Sequence, residues 1–486
     1  MPYLGVKPAD EFTSKDLNGE ELILDADADT TITADTDDQI DIRIAGADDF
    51  SFKANTFEVQ TGSNIDMNGT ELILDANGNT SITADTDDQI DIKIAGADDF
   101  QFTANAFNVL SGSTLTIDSG ATITNSGTAT GFPSVGNNLI INPEFRVAQR
   151  GASFTLAGMT SHDYHLDRWK LAWESSLSAR ITITQDTSGV FAAWGSDTCM
   201  KIDCTTADAS LGANDYCDIS QRIEAQDLQH LEYGTAGARD ITLSFLIKSP
   251  KSGTHSVLIS QYDGSGRYFP ANFTVTSADT AEKITIQIPG DTSGQIDNDT
   301  GVGLQVSFPF ASGASRCSAT AGSWTGSFGY PTTSPNLLDN TANDTYIGQV
   351  KLEVGGTATD FSQANFEDYG TTLNKCFRYL YAPVQGRGDG EPIATVMCST
   401  TDSYWYGPLM FPVAMRAIPT LSVSNVAHFV VYVAGTSRAA SAFNLAGRKS
   451  VYGIEFEIST ASDTAGRAGV FWGLNAAATM YISAEL

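Results

Sequence analysis

Between Pro8 and Pro133 the sequence has no proline. Proline has no N–H to give, so its absence suits a segment whose strand ladders run unbroken. Lysine and arginine are scarce in the same region: residues 1–130 hold 5 of them against 25 aspartates and glutamates, in a chain of 486 residues with formal net charge −31. Such a surface repels phosphate backbones and argues against nucleic-acid binding. It also discourages edge-to-edge association of exposed strands. No run approaches the ~18 apolar residues of a membrane span, so no membrane insertion is expected. The opening Met1-Pro2-Tyr3-Leu4-Gly5-Val6-Lys7-Pro8 lacks a charged stretch followed by an apolar core, so it does not read as a secretory signal.

Signatures of catalysis and of common metal folds are missing as well. There is no G-x-S-x-G elbow, no H-E-x-x-H, no phosphate loop and no dinucleotide fingerprint. The six cysteines, Cys199, Cys204, Cys217, Cys317, Cys376 and Cys398, form no C-x-x-C pair, which removes zinc-ribbon and thioredoxin-type readings. Their even number permits three disulfides. Without a secretory signal they are expected as reduced thiols packed as small apolar groups.

What the first region does have is a repeat. Residues 18–63 are written again, nearly letter for letter, as 68–113: Thr33-Ala34-Asp35-Thr36-Asp37-Asp38-Gln39-Ile40-Asp41-Ile42 returns as 83–92, at an offset of 50 residues. A fixed period of this size marks a unit that leans on its neighbours. Ile40, Ile42 and Ile44 alternate with Asp41 and Arg43, as a half-buried strand requires. Phe50/Phe52 and Phe57/Val59 resume the pattern after Gly46-Ala47-Asp48-Asp49, a turn-like break. Two such units carry too few large apolar groups to close a core of their own. Three copies about one axis would turn the isoleucines and phenylalanines inward and the aspartates to water, and a homotrimeric shaft is therefore expected. Asp35, Asp37, Asp38 and Asp41 read first as a solvated face; cation binding is the alternative, without the spacing of an EF-hand.

The whole chain reads as all-β. Residues 1–17 are too short for a domain and are expected as an anchoring segment that docks on a larger assembly. Residues 18–136 are the acidic shaft and its Ser/Thr/Gly-rich neck, which continues through Leu115, Ile117 and Ile123. Tryptophan, histidine and cysteine appear only beyond Asn137. There, apolar runs at 179–184, 241–248, 255–261, 283–288, 302–308 and 346–354 alternate with Gly/Ser/Asp turns and predict a large jelly-roll sandwich over 137–366. Strand candidates at 420–423, 429–433, 451–458 and 480–484 predict a smaller C-terminal β-sandwich over 367–486.

Certain stretches resemble those of fibre proteins of tailed bacteriophages, particularly marine ones. They are Asn138-Leu139-Ile140-Ile141-Asn142-Pro143-Glu144-Phe145-Arg146 with Leu166-Asp167-Arg168-Trp169, Gly348-Gln349-Val350-Lys351-Leu352-Glu353-Val354-Gly355, Cys376-Phe377-Arg378-Tyr379, 411–420 and the closing Ser483-Ala484-Glu485-Leu486. The acidic repeat is similar to shaft sequences of the same proteins. The resemblance implies a homotrimeric virion fibre, joined to other virion proteins through its N-terminus and binding a bacterial surface glycan with its distal domains. The jelly roll is also similar to carbohydrate-binding modules. A fibre mounted on the capsid, or a spacer without a ligand, is one alternative; a polysaccharide depolymerase is another, since two carboxylates can meet in a fold from anywhere in the chain.

Sugar recognition needs an apolar ring beside polar groups. Trp324 and Tyr330 lie in or beside a glycine-rich loop, and Asp402, Tyr404, Trp405 and Tyr406 form an aromatic run; these are the ligand-binding candidates. On a strand, Tyr404 and Tyr406 share one face and Trp405 takes the other. A loop tryptophan such as Trp324 either binds or folds back as a plug, and Trp169 and Trp173 are read as core. His162 and His165 read as a polar turn entering a strand, without a third metal ligand. By analogy with carbohydrate-binding jelly rolls, Asn142, Glu144 and Glu353 are where a structural calcium would sit. No other cofactor is expected. Arg387-Gly388-Asp389 is read as a flexible turn.

Overall fold

The computed structural model describes residues 20–84, 86–116, 138–155, 162–264, 266–331, 335–361, 367–386, 390–399 and 403–486. The expected anchoring segment 1–17, most of the expected neck, Arg387-Gly388-Asp389 and Asp402 lie outside them. The protein is all-β, and forms two compact units that divide at Ser126 and Gly127.

In the first unit each repeat forms its own five-stranded antiparallel meander. The first comprises Leu22–Ile23 (β1), Thr31–Thr33 (β2), Gln39–Ile44 (β3), Ala47–Lys53 (β4) and Thr56–Val59 (β5). The second comprises Leu72–Ile73 (β6), Ser81–Thr83 (β7), Gln89–Ile94 (β8), Ala97–Thr103 (β9) and Ala106–Val109 (β10). Ala45 and Gly46 both have positive φ, 50° and 82°, the backbone a two-residue hairpin turn demands. That tight turn moves the break from the expected 46–49 to 45–46, and Asp48 and Asp49 become part of β4.

The cross-strand rows are set by register. Ile40, Phe52 and Phe57 stand opposite one another and are 48%, 44% and 49% exposed. Ile90, Phe102 and Phe107 repeat the row and are exposed too. The opposite face carries Thr33, Asp41 and Ser51, all buried. Asp41 accepts from Gln39 Nε2 at 2.7 Å and from the Ser51 hydroxyl, and Asp91 accepts from Gln89 and Gln101. The expectation that the aspartates all face water therefore fails at Asp41 and Asp91, because polar side chains of their own strand and of the next one hold them.

The second unit begins with two six-stranded antiparallel sheets. Their strands are Ser153–Thr155 (β11), His162–Tyr164 (β12), Trp169–Trp173 (β13), Arg180–Asp186 (β14), Cys199–Thr206 (β15), Tyr216–Glu224 (β16), Ile241–Lys248 (β17), Gly253–Gln261 (β18), Arg267–Val275 (β19), Ala281–Ile288 (β20), Val302–Ser312 (β21) and Asp344–Val354 (β22). One sheet runs β11-β14-β15-β22-β17-β20 and the other β12-β13-β16-β21-β18-β19. Between them lies one apolar core. Phe245 of the first sheet meets Phe308 and Phe273 of the second edge-on, at 5.0 and 5.2 Å, so the aromatic contact joins the layers. Trp169 and Trp173 are in this core, as are Cys204 and Cys217.

A nine-residue helix, Tyr369–Phe377 (α1), follows, capped by Asp368, whose side chain accepts from the Thr371 N–H. Its buried residues are only Thr372 and Cys376, too few to show a helical period in the sequence. Ten strands complete the chain: Leu380–Gln385 (β23), Glu391–Cys398 (β24), Tyr404–Met410 (β25), Thr420–Val423 (β26), Phe429–Val433 (β27), Thr436–Ala439 (β28), Ala442–Lys449 (β29), Gly453–Ser459 (β30), Ala468–Gly473 (β31) and Thr479–Ser483 (β32). They form a three-stranded and a seven-stranded sheet over a second core that contains Trp405, Phe429, Phe456 and Phe471.

The two sandwiches meet through ions rather than grease. Arg378 grips Glu224 with two hydrogen bonds of 2.7 Å, Arg168 pairs with Glu485, and the Arg168 guanidinium lies 3.5 Å from the centre of the Tyr379 ring. Gln149 donates to Leu380 O at 2.9 Å and accepts from Ala382 N at 3.1 Å. Arg168 is 1% exposed, so removing it leaves the buried Glu485 carboxylate to the longer 3.4 Å contact of Arg150. Arg168→Ala is expected to cost about 3–5 kcal/mol in unfolding free energy, measured by denaturant titration; a loss below about 1 kcal/mol would show that the contact is incidental.

Candidate functional site

Strand β16 turns one side to the apolar core and the other to a polar outer face. Cys217, Ile219 and Ile223 enter the core, so the period of two sends Tyr216, Asp218, Ser220 and Arg222 to the outer face. Register aligns neighbours with them. Tyr164, Lys170, Ser220, Ser307, Leu258 and Pro270 form one cross-strand row, and Arg222, Gln305, Ser260 and Tyr268 the next.

The loop after β21 folds over one side of this face. Thr325 exchanges backbone hydrogen bonds with Tyr268 at 2.8 and 2.9 Å. Phe328 stands edge-on to Tyr268 and Tyr330, at 5.5 and 5.6 Å, and the Tyr330 hydroxyl donates to Asp218 Oδ2 at 2.8 Å. What remains open is a cleft of ≈130 Å³ lined by His162, Lys170, Asp218, Ser220, Arg222 and Tyr262, among others. That is below the ~300 Å³ of an enclosed ligand pocket, so it suits one unit of a chain lying across it. Tyr262 and Phe328, each 41% exposed, offer ring surface at the rim.

Burial pushes the Asp218 carboxyl up to about 7, against the pull of the Tyr330 hydrogen bond and of Lys170 and Arg222. Burial and the nearby Arg222 charge together lower Lys170. Arg222 donates from Nε to Gln305 Oε1 at 2.9 Å and from Nη1 to Leu486 O at 3.0 Å, and its guanidinium lies 5.6 Å from the centre of the Tyr262 ring. Arg316 stacks over Tyr216 at 4.8 Å.

The expected ligand-binding residues are not assembled into one site. Trp324 folds back: its indole N–H donates to Pro289 O at 2.7 Å and its ring packs on Tyr233 and Phe269. Tyr330 is buried and walls the cleft through its hydroxyl. In the second sandwich Trp405 is 0% exposed, with its indole N–H on Thr460 Oγ1 at 2.9 Å, which removes it from any ligand. Tyr404 is 38% exposed on the other face, and the Tyr406 hydroxyl donates to Glu457 at 2.9 Å.

The expected calcium ligands are each taken by protein groups. The Asn142 amide donates to Val147 O and Asp167 O, Glu144 pairs with Arg146 at 2.8 Å and Glu353 with Lys351 at 3.0 Å. His162 faces the cleft, while His165 is buried against Phe154 and lowered to about 4 by that burial. Among the described residues the acids that converge in the repeats are Asp25, Asp27 and Asp29; Asp35, Asp37, Asp38 and Asp41, for which cation binding was the alternative to a solvated face, are not among them.

Lys170, Ser220, Arg222, Tyr262, Gln305 and Ser307 were missed because they come from three strands and the turn after β18, spread along the first sandwich. One signal was available. Asp218, Ser220 and Arg222, like Gln305 and Ser307, put polar groups at every second position of runs otherwise rich in apolar residues.

No known protein family matches the chain, and no curated protein does. Solved structures do. An enzymatically active domain of tailspike protein 4 of bacteriophage CBA120 is 12% identical over 38% of this chain, with TM-score 0.23; the chain spans 19% of that protein. The family 11 carbohydrate-binding module from Clostridium thermocellum, in complex with a β-1,3-1,4-mixed-linked tetrasaccharide, is 13% identical over 43% of this chain and 98% of its own, with TM-score 0.22. TmCBM61 in complex with β-1,4-galactotriose is 12% identical over 44% of this chain and 97% of its own, with TM-score 0.21.

The raised Asp218 makes stability depend on pH. Its contribution is fully present below the ordinary carboxylate range and is lost as pH rises through about 7. Relative to Asp218→Asn, the wild-type chain should lose about 2 kcal/mol between about pH 5 and about pH 8. Thermal unfolding of both proteins across that range measures it, and parallel curves would contradict the assignment.

Proposed function

We propose that the protein is a virion fibre of a tailed bacteriophage that attaches to the host cell by binding a surface glycan, without cleaving it, on the outer face of the first sandwich. One observation carries this reading: a cleft floored by serine, glutamine, lysine and arginine side chains and rimmed by the half-exposed rings of Tyr262 and Phe328. Hydroxyl-rich chains need that combination, donors and acceptors for their hydroxyl groups and a ring face for their C–H groups.

Asp218 is the single carboxylate among the residues that line the cleft. Glycoside hydrolysis calls for two, which favours binding over cleavage. The open Ile40-Phe52-Phe57 row and its copy support a homotrimer, because exposed apolar rows of this kind are covered when copies associate. Three modest sites on one fibre would hold a repetitive polymer far more tightly than one. Residues 1–17 would then join the fibre to other virion proteins, on the tail or on the capsid.

Two measurements test this. On a glycan array the full chain should bind bacterial polysaccharide, and Tyr262→Ala should weaken that binding about tenfold, with no new reducing ends on prolonged incubation. Analytical ultracentrifugation should give three times the 51.6 kDa chain mass, falling to one chain in Phe52→Asp/Phe102→Asp. A stable wild-type monomer would overturn the trimer, and glycan binding indifferent to Tyr262 would overturn the site.

A further inference from the structure

In a chain of net charge −31, the cleft concentrates cations. Lys170, Arg222 and Arg316 all line it, and Asp218 is the one acid. Many basic side chains elsewhere in the protein are neutralised: Arg43, Lys93, Arg168, Arg267, Lys351 and Arg378 each pair with a carboxylate. In the cleft only Arg316 has such a contact, a long 3.9 Å approach to Glu174. Lys170 pairs with no Asp or Glu side chain among the described residues, and neither does Arg222. The Lys170 ammonium has ring contact with Tyr164 at 5.7 Å, and Arg222 donates to the neutral Gln305 amide oxygen and to a main-chain oxygen of Leu486, the last residue of the sequence.

These two cations also stand where one ligand group can reach both. Lys170 is opposite Ser220 in the register of β13 and β16, and Arg222 lies two residues further along the same face. That diagonal separates Cα atoms by about 7–8 Å, a gap long side chains span. Asp218, whose Oδ2 also accepts from Tyr330, is one acid against three cations and offsets only part of their charge. Beyond about 8 Å the rest of the acidic surface is screened at physiological salt, so the local charge decides what is held.

We propose that the cleft is selective for acidic sugars, taking the carboxylate of a uronate unit between Lys170 and Arg222 while the ring lies against Tyr262. This rests on the glycan-binding reading above and names its ligand class. A carboxylate held by two cationic donors gains charge-assisted hydrogen bonds that a neutral hydroxymethyl group in the same place cannot match.

The test uses the full chain, a polygalacturonate oligomer and the same oligomer after reduction of its carboxyl groups, with isothermal titration calorimetry as readout. The acidic oligomer should bind at least about tenfold more tightly than the neutral one. Lys170→Gln should remove most of that preference, Lys170→Arg should keep it, and raised salt should narrow it. Tyr262→Ala should weaken both oligomers alike. Equal affinity for the two oligomers, with Tyr262→Ala still damaging, would overturn acidic selectivity and leave glycan binding standing. Binding of neither oligomer, or binding that no cleft substitution alters, would overturn both readings.

Discussion

The alternation of side chains along β16 is the constraint on which the second unit depends. One strand in extended geometry must serve two surfaces, and the sequence of 216–224 assigns Cys217, Ile219 and Ile223, with Gln221 between the isoleucines, to one and Tyr216, Asp218, Ser220 and Arg222 to the other. From that division follow the core contact of Ile219 and Ile223, the cleft chemistry of Asp218, Ser220 and Arg222, and, at its end, the grip of Glu224 on Arg378. A slip of one residue in the register of β16 would exchange all of these at once. Its neighbours β13 and β21 are read the same way, and three adjacent strands buried on their inner side hold the outer polar groups at fixed spacing.

The repeats obey the same rule with an opposite outcome. Their polar row, Thr33-Asp41-Ser51, is the closed one, and their apolar row is open. A surface of isoleucine and phenylalanine in water is costly at about 25 cal/mol per Å², while the abundant aspartates around it favour solubility. Both features suit a segment whose apolar side is meant to be shared. The sandwiches, by contrast, have complete cores of their own, and the contact between them is built from desolvated ion pairs and hydrogen bonds, which set orientation more than they add stability.

Much of this architecture was legible in the residues. The 50-residue duplication and the alternation in Gln39–Ile44 declare short strands, and runs such as Ile241–Lys248 and Phe429–Val433 were placed to the residue because β-branched and aromatic side chains crowd them between turns. The alternation at 404–406 was readable as well. The cleft was not: Lys170, Ser220, Tyr262 and Ser307 become neighbours only through strand pairing, and nothing local distinguishes a serine on the cleft face from one in a turn. Trp324 attracted notice by its residue type, yet a loop closing over a sheet brings its own ring to the apolar floor. Helix α1 escaped because two buried residues four apart carry no period.

Crystallography of the full chain soaked with an acidic oligosaccharide tests the central claim most directly, since it locates the ligand instead of inferring it from affinity. The account requires density across the row of Lys170, Ser220 and Ser307, with one sugar ring against Tyr262 and its carboxylate toward Arg222. Density on the Tyr404–Tyr406 face of the second sandwich, with the cleft of the first empty, would contradict it.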